Sequence, residues 1–170
     1  MPTIGVSIAI PNPHGDELQA RRASFDDSMA WSIPTHVTLL PPTETDDETL
    51  EKFTSYLEEL SARTAPFEMV LRGTGTFRPV SPVVFVQVSR GISECEMLER
   101  AVRSGPVDRI LEFHYHPHVT VAHDVPDANL DRAFRELADF EAEFTVTDFH
   151  LYEHGADGVW RPVRAFPLLG

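Results

Sequence analysis

Lysine is nearly absent from this chain of 170 residues: Lys52 is the only one, beside thirteen arginines. Genomic base composition is the simplest source of that bias, and no function is drawn from it. Positive charge is scarce altogether. Fourteen basic residues stand against 27 acidic ones, for a formal net charge of -13 and a pI near 4.9. A long duplex or an extended RNA would therefore approach against net repulsion. A small nucleotide or an RNA terminus is not excluded, because one phosphate needs only a local set of donors.

Cysteine is reduced to Cys95, which rules out an internal disulfide framework and a cysteine-rich metal site. Its spacing with Ile92, Leu98 and Val102 puts it on the apolar face of a helix, as a buried thiol and not a nucleophile. No apolar run is long enough to cross a membrane, and the first residues lack the basic-then-apolar pattern of an export signal, so a cytoplasmic protein without membrane contact is expected. Linker-like and low-complexity stretches are missing too. With 42% hydrophobic residues the chain can build one core, and a single domain over residues 1–170, monomeric, is expected.

What is present is a polar cassette that occurs twice. His36-Val37-Thr38 and His118-Val119-Thr120 stand 82 residues apart, close to half the chain, each inside a short β-rich apolar run. In a strand, residues i and i+2 share a face, so His and Thr point one way while Val37 and Leu39, or Val119 and Val121, point the other. One such cassette alone would be an ordinary polar strand face. Two in matching contexts suggest one shared site, in which two imidazoles and two hydroxyls converge. That set suits in-line attack at phosphorus: one His withdraws a proton from the nucleophile, the other protonates the leaving oxygen, and the Thr hydroxyls hold the non-bridging oxygens. The scheme requires no metal and no cofactor.

The remaining pattern reads as a repeated order. Thr3 to Ile10 is strand-like, ended by Pro11-Asn12-Pro13, and Leu18, Phe25 and Met29 give a weak helical stripe. Ile33 to Leu40 forms the first cassette strand, which Pro41-Pro42 should end. Thr45-x-x-Glu48 resembles a capping box before a helix bearing Leu50, Phe53, Leu57 and Leu60. Phe67–Leu71 and Val83–Val88 look like strands joined by a loop holding Gly73, Gly75 and Pro79. A helix over residues 92–103, a second cassette strand from Tyr115 to Ala122, a helix after Pro126-Asp127 and strands near 142–152 and 160–168 follow, with a turn at Gly155-Ala156-Asp157-Gly158. Helix, cassette strand, helix and two strands thus appear twice, with approximate halves 1–90 and 91–170. The expected class is α+β: two pseudo-repeated units of antiparallel sheet, helices packed outside, and cassette strands facing a central cleft.

On Pro34-Thr35-His36-Val37-Thr38-Leu39-Leu40, the Gly75-Thr76-Phe77-Arg78-Pro79 loop, Tyr115-His116-Pro117-His118-Val119-Thr120-Val121 and the closing Trp160 to Leu168, the chain resembles the two-histidine (2H) phosphoesterase superfamily, in its bacterial 2'-5' RNA ligase-like, or cyclic nucleotide phosphodiesterase, branch. The resemblance covers nearly the whole chain. It implies a bilobal fold and metal-independent hydrolysis of a 2',3'-cyclic phosphate on a nucleotide or RNA end, with His36 and His118 catalytic and Thr38 and Thr120 as phosphate ligands. The chain departs from many relatives in having His123 where they place Arg or Lys, three positions after the second Thr.

Other polar residues admit two readings each. His114, His116, His118 and His123 crowd one segment, but a metal site there competes with the cassette role of His118 and lacks a carboxylate or thiolate companion. His14, His150 and His154 read as surface or loop residues. Phe77, Tyr115, Tyr152 and Trp160 could stack a base or serve as core and rim, and Arg78 is the best cation beyond the cassettes. Two alternatives stand beside cyclic phosphate hydrolysis: reversible 2'-5' ligation and cleavage on tRNA fragments, disfavoured by the acidic surface, and a non-catalytic nucleotide- or RNA-end-binding module, disfavoured by the intact cassettes.

Overall fold

Thr3–Ala9 carries Ile4, Val6 and Ile8 on one face and the small residues Thr3, Gly5, Ser7 and Ala9 on the other, and forms a strand covered on both sides, β1. The computed structural model describes every residue from Met1 to Gly170. It continues with α1 (His14–Ser24), β2 (His36–Glu44), α2 (Asp47–Ala62), β3 (Phe67–Thr76), β4 (Val83–Arg90), α3 (Ile92–Arg103), β5 (His118–His123), α4 (Asp127–Glu136), β6 (Glu141–Val146), β7 (Asp148–His154) and β8 (Trp160–Pro167). The strands form two antiparallel four-stranded sheets, ordered β2-β1-β7-β8 and β5-β4-β3-β6. Helices α2 and α3 pack on the first sheet, and α4 and α1 reach the second. The class is the expected α+β architecture of two sheet-and-helix units.

Each cassette strand is the edge strand of its sheet, and the two edges lie against each other. The sheets do not follow the halves of the chain: the first takes β1, β2, β7 and β8, the second β3 to β6. Residues 142–152 are accordingly not one strand. Thr147 separates β6 in one sheet from β7 in the other, and the buried apolar positions change parity across it, from Ala142 and Val146 to Phe149 and Leu151. A period-two pattern that slips by one residue has turned its apolar side to a different core.

Further boundaries differ from expectation, and the first three have a physical reason. Pro41 and Pro42 stay inside β2, because an edge strand has no second neighbour to claim their missing N–H groups. A register shift between Ile4 and Val6 of β1 absorbs the extra residue opposite. Likewise β3 runs through its glycines to Thr76: a bulge between Leu71 and Thr74 uses Gly73 at φ 71°, a left-handed backbone that glycine adopts without a Cβ penalty. The α2 cap falls one residue later than Thr45, where the Asp46 carboxylate accepts the Thr49 N–H at 2.7 Å. Both cassette strands also begin at the His itself, not three residues earlier.

The core is a continuous apolar cluster that includes Phe53, Leu57, Leu98, Val119 and Phe149. Cys95 lies within it, and burial raises its thiol to about 12, as the helical spacing anticipates. Leu57, fully buried on α2, should cost about 3 kcal/mol when cut to Ala. Met97→Ala on the exposed side of α3 should stay within about 0.5 kcal/mol. Denaturant unfolding of the two variants checks both values.

Candidate active site

The two cassettes adopt the same burial rhythm. His36 and Thr38 are half-buried while Val37, Leu39 and Leu40 are buried; His118 and Thr120 are half-buried while Val119, Val121 and Ala122 are buried. Apolar residues anchor each edge strand to the core and leave the His/Thr pair on the other face.

The imidazoles are held alike. His36 Nδ1–H donates to the Pro34 carbonyl at 2.7 Å, and His118 Nδ1–H to the His116 carbonyl at 2.6 Å. A carbonyl only accepts, so Nδ1 carries the proton in each ring, and Nε2 is left as the atom able to take or give one. Burial lowers the His36 pKa to about 4, against an opposing contribution from the Pro34 bond and helped by the charges of Arg22, His118 and His154. The His118 pKa is lowered too, by burial first, against the opposing bond to the His116 carbonyl and helped by the His116 charge.

The surroundings of the rings differ. His36 lies 4.5 Å from the Trp160 ring centroid, whereas His118 meets Phe77 at 4.9 Å and Phe85 at 5.2 Å. Phe85 comes this close because residue 75 is glycine: a Cβ there would stand 2.6 Å from the Phe85 ring. A cavity of about 670 Å³ opens beside this cluster, with Thr38, Phe77, Val80, Phe113, Tyr115 and His118 among its lining residues.

The other candidate residues take varied places. Phe77 is at the cavity wall. Tyr115 donates its hydroxyl to the Thr38 carbonyl at 2.7 Å, tying the segment that leads into the second cassette to the backbone of the first, and burial pushes its pKa up. Tyr152 is buried between His150 and Trp160. Arg78 is not a free cation: it pairs with Asp131 at 2.8 Å and bonds Thr76 Oγ1, clamping the β3–β4 loop to α4. His123 projects an exposed side chain at the end of β5, and its backbone N–H donates to Asp27. His150 and His154, expected on the surface, sit in β7 with one ring nitrogen each buried, because β8 pairs along them. No group of three or more His, Cys, Asp or Glu side chains is arranged to hold a metal ion.

Three contributors escape the motif. Arg22 forms a buried ion pair with Asp27 at 2.7 Å and is close enough to bear on His36. Arg109 donates to the Pro42 carbonyl and to Thr43 Oγ1, holding the segment before β5 onto β2. His154 stacks on Trp160 at 4.0 Å. None lies within a cassette, and only the Arg109 contacts are distant in sequence; Arg22 and His154 meet partners five and six residues away.

Comparison with known proteins shows the family and the fold. The family model described as the 2'-5' RNA ligase superfamily matches residues 10–158. A protein of Bacillus thuringiensis (strain Al Hakam), provisionally named a phosphoesterase, is 30% identical over 155 residues, covering 90% of this chain and 89% of its own. E. coli LigT, in its complex with 3'-AMP, superposes with a TM-score of 0.73 at 20% identity over 100% of both chains. The TT0787 protein of Thermus thermophilus gives 0.66 at 21% identity over 99% of this chain and 98% of its own. The chain belongs to the 2'-5' RNA ligase superfamily of two-histidine phosphoesterases.

The buried state of His36 has a consequence for stability. Its imidazole titrates near 6.5 when unfolded and at about 4 when folded, so between those values the unfolded chain binds more protons and stability falls as pH is lowered. Above the window the ring is neutral in both states and contributes nothing; below it the penalty is complete, on the order of 3 kcal/mol. Unfolding free energy measured across the window should decline in the wild type and decline less in His36→Asn. Identical pH slopes for the two proteins would contradict the assignment.

Proposed function

We propose that this protein is a metal-independent phosphoesterase that hydrolyses a 2',3'-cyclic phosphate on a nucleotide or an RNA end by two-histidine acid–base catalysis. The observation that carries the reading is the matched pair of tethered imidazoles on two meeting edge strands, each with Nδ1 committed to a backbone carbonyl and Nε2 left for proton transfer. One Nε2 accepts the proton of the attacking water while the other, protonated, delivers a proton to the departing ribose oxygen. Thr38 and Thr120 donate hydroxyl protons to the non-bridging oxygens as charge builds there. The protons balance: one enters the first ring, one leaves the second, and solvent exchange resets the pair.

The cavity beside His118 is of a size to take one nucleoside, and apolar residues such as Leu39, Phe77, Val80 and Phe113 line it; such walls suit a base and ribose. E. coli LigT has been crystallised with 3'-AMP, ATP and NADP+, which supports a small nucleotide as the ligand class. Reversible 2'-5' joining on tRNA fragments would need a track for many phosphates on a body of net charge -13. Arg78 and Arg22 are already paired to carboxylates, which leaves Arg109 as the one arginine in the cavity wall, a local cation and not a track.

His36→Ala or His118→Ala should each reduce turnover of 2',3'-cyclic mononucleotides by about 10²-fold or more, and the double variant should be little worse than the poorer single. Thr38→Ala and Thr120→Ala should be milder. Activity should survive exhaustive chelation by EDTA. A folded His118→Ala protein with near-normal turnover, or a metal requirement restored by Zn²⁺ or Mn²⁺, would sink the mechanism.

Substrate length supplies an independent check. A cyclic mononucleotide should be processed at least as well as a cyclic-ended RNA of about twenty nucleotides, with a shallow salt dependence because few counterions are released. Values of kcat/KM for both across a salt series decide the point. A strong preference for the long RNA with a steep slope would favour the ligase-type reading.

A further inference from the structure

Beyond the cassette, the cleft side of the first sheet carries an arrangement that the phosphoesterase reading does not use. His154 and Trp160 pair across the β7–β8 hairpin, with ring centroids 4.0 Å apart and planes 29° from parallel. Trp160 in turn lies 4.5 Å from His36 at a tilt of 45°. The three rings form one contiguous aromatic cluster, stacked at its His154 end and tilted where it meets the cassette imidazole.

Two features show that this cluster is built into the fold. Residue 5 on β1 is glycine, and a Cβ there would stand 2.8 Å from His154 Nε2 and 3.1 Å from the Leu40 carbonyl, so only the bare backbone leaves room for the ring. The Trp160 backbone N–H donates to the Ser32 carbonyl at 2.9 Å, which anchors the hairpin to the segment that leads into β2. Moreover, His154 Nε2 is buried without a hydrogen-bond partner, an unfavourable state for a ring nitrogen. A purely structural residue filling the same space would be expected to be apolar.

We propose that Trp160 and His154 are positioning residues for His36: the indole walls one side of the imidazole from water and fixes its plane, and His154 backs the indole. The Pro34 bond holds only one edge of the His36 ring, leaving its plane to be set by whatever packs on its face. Burial is the first cause of the low His36 pKa, and the charges that act with it come from every side: Arg22 on α1, His118 on β5 and His154 on β7. Arg22 is itself paired with Asp27. Burial likewise lowers the His154 pKa, and the ring acts on His36 in two ways, by backing the indole against water and by the repulsion its charge exerts on a protonated His36. Trp160 has one face committed to His154, which argues against its being primarily a platform for a substrate base.

The activity readout rests on the two-histidine reading; the titration readout does not. The His36 imidazole is titrated by NMR in the unliganded protein, assigned by comparison with His36→Asn, in wild type, Trp160→Ala, Trp160→Phe and His154→Ala, with circular dichroism confirming the fold. In Trp160→Ala the His36 midpoint should rise by about one unit or more toward its ordinary value as water reaches the ring. Trp160→Phe, which restores a wall, should recover most of the wild-type value, and His154→Ala should fall between. With 2',3'-cyclic mononucleotides, one limb of the pH–kcat profile should move up with the titration, whether His36 serves as base or as acid, and KM should change by no more than about two-fold. An unmoved His36 midpoint in folded Trp160→Ala overturns the proposal, as does a large rise in KM with kcat and titration unchanged, which would make Trp160 a substrate platform. Failure of the cyclic phosphodiesterase reading alone would show as a wild type without turnover in which the titration shift persists.

Discussion

Strand alternation at two meeting sheet edges is the constraint on which the site depends. An edge strand has one neighbour, so its own grip on the fold comes from one ladder of hydrogen bonds and from the side chains it buries. In β2 and β5 those are Val37, Leu39 and Leu40, and Val119, Val121 and Ala122, all buried. The same alternation turns His36, Thr38, His118 and Thr120 the other way. A slip of one residue in either register would bury an imidazole and expose a valine, so core packing and site assembly enforce each other. The meeting of the two edges is then secured by bonds that cross between segments: Tyr115 to the Thr38 carbonyl, and Arg109 to Pro42 and Thr43.

The symmetry of the cassettes stops at their backbones. Both rings are tethered by Nδ1 to a carbonyl two residues back, which makes the two Nε2 atoms equivalent as proton carriers. The acid–base catalysis proposed for this pair needs them to be unequal, one neutral and one protonated in the same complex. The neighbours supply the inequality: a Trp160–His154 stack with the Arg22 charge near His36, and the Phe77–Phe85 pair with His116 near His118. The duplicated strands thus supply the common geometry, while residues outside the cassettes differentiate the two halves.

How much of this was legible before the fold was known follows from the range of each interaction. The cassettes, the α2 stripe of Phe53, Leu57 and Leu60, and buried Cys95 depend on local period and were readable. The hand-over at Thr147 was written in the parity change between Val146 and Phe149, a signal that a count of apolar residues overlooks. Pro41-Pro42 misled because a proline stops only a strand that needs its N–H on both sides, and edge position is a property of the sheet. Arg78 misled for a similar reason, since its partner Asp131 is 53 residues away. His154 and Arg22 could not have been placed from the sequence: their importance comes from Trp160 and Asp27 and from where His36 lies.

Net charge and local chemistry are reconciled by the way the molecule spends its cations. Arg22, Arg72, Arg78, Arg103, Arg132 and Arg161 are each paired with a carboxylate, and Arg109 at the cavity wall donates to the Pro42 carbonyl and Thr43 Oγ1, with Glu99 and Glu112 in the same wall. The cassettes themselves present neutral donors, hydroxyls and imidazoles, and an imidazole is charged only when protonated. Such a site gains little from a distant phosphate, because long-range attraction needs fixed charge. It responds strongly to a phosphate in contact, where short hydrogen bonds act in a partly desolvated space. On the proposed reading, recognition is concentrated at the reacting group and selectivity comes from the apolar walls beside it, Phe77, Val80 and Phe113 among them.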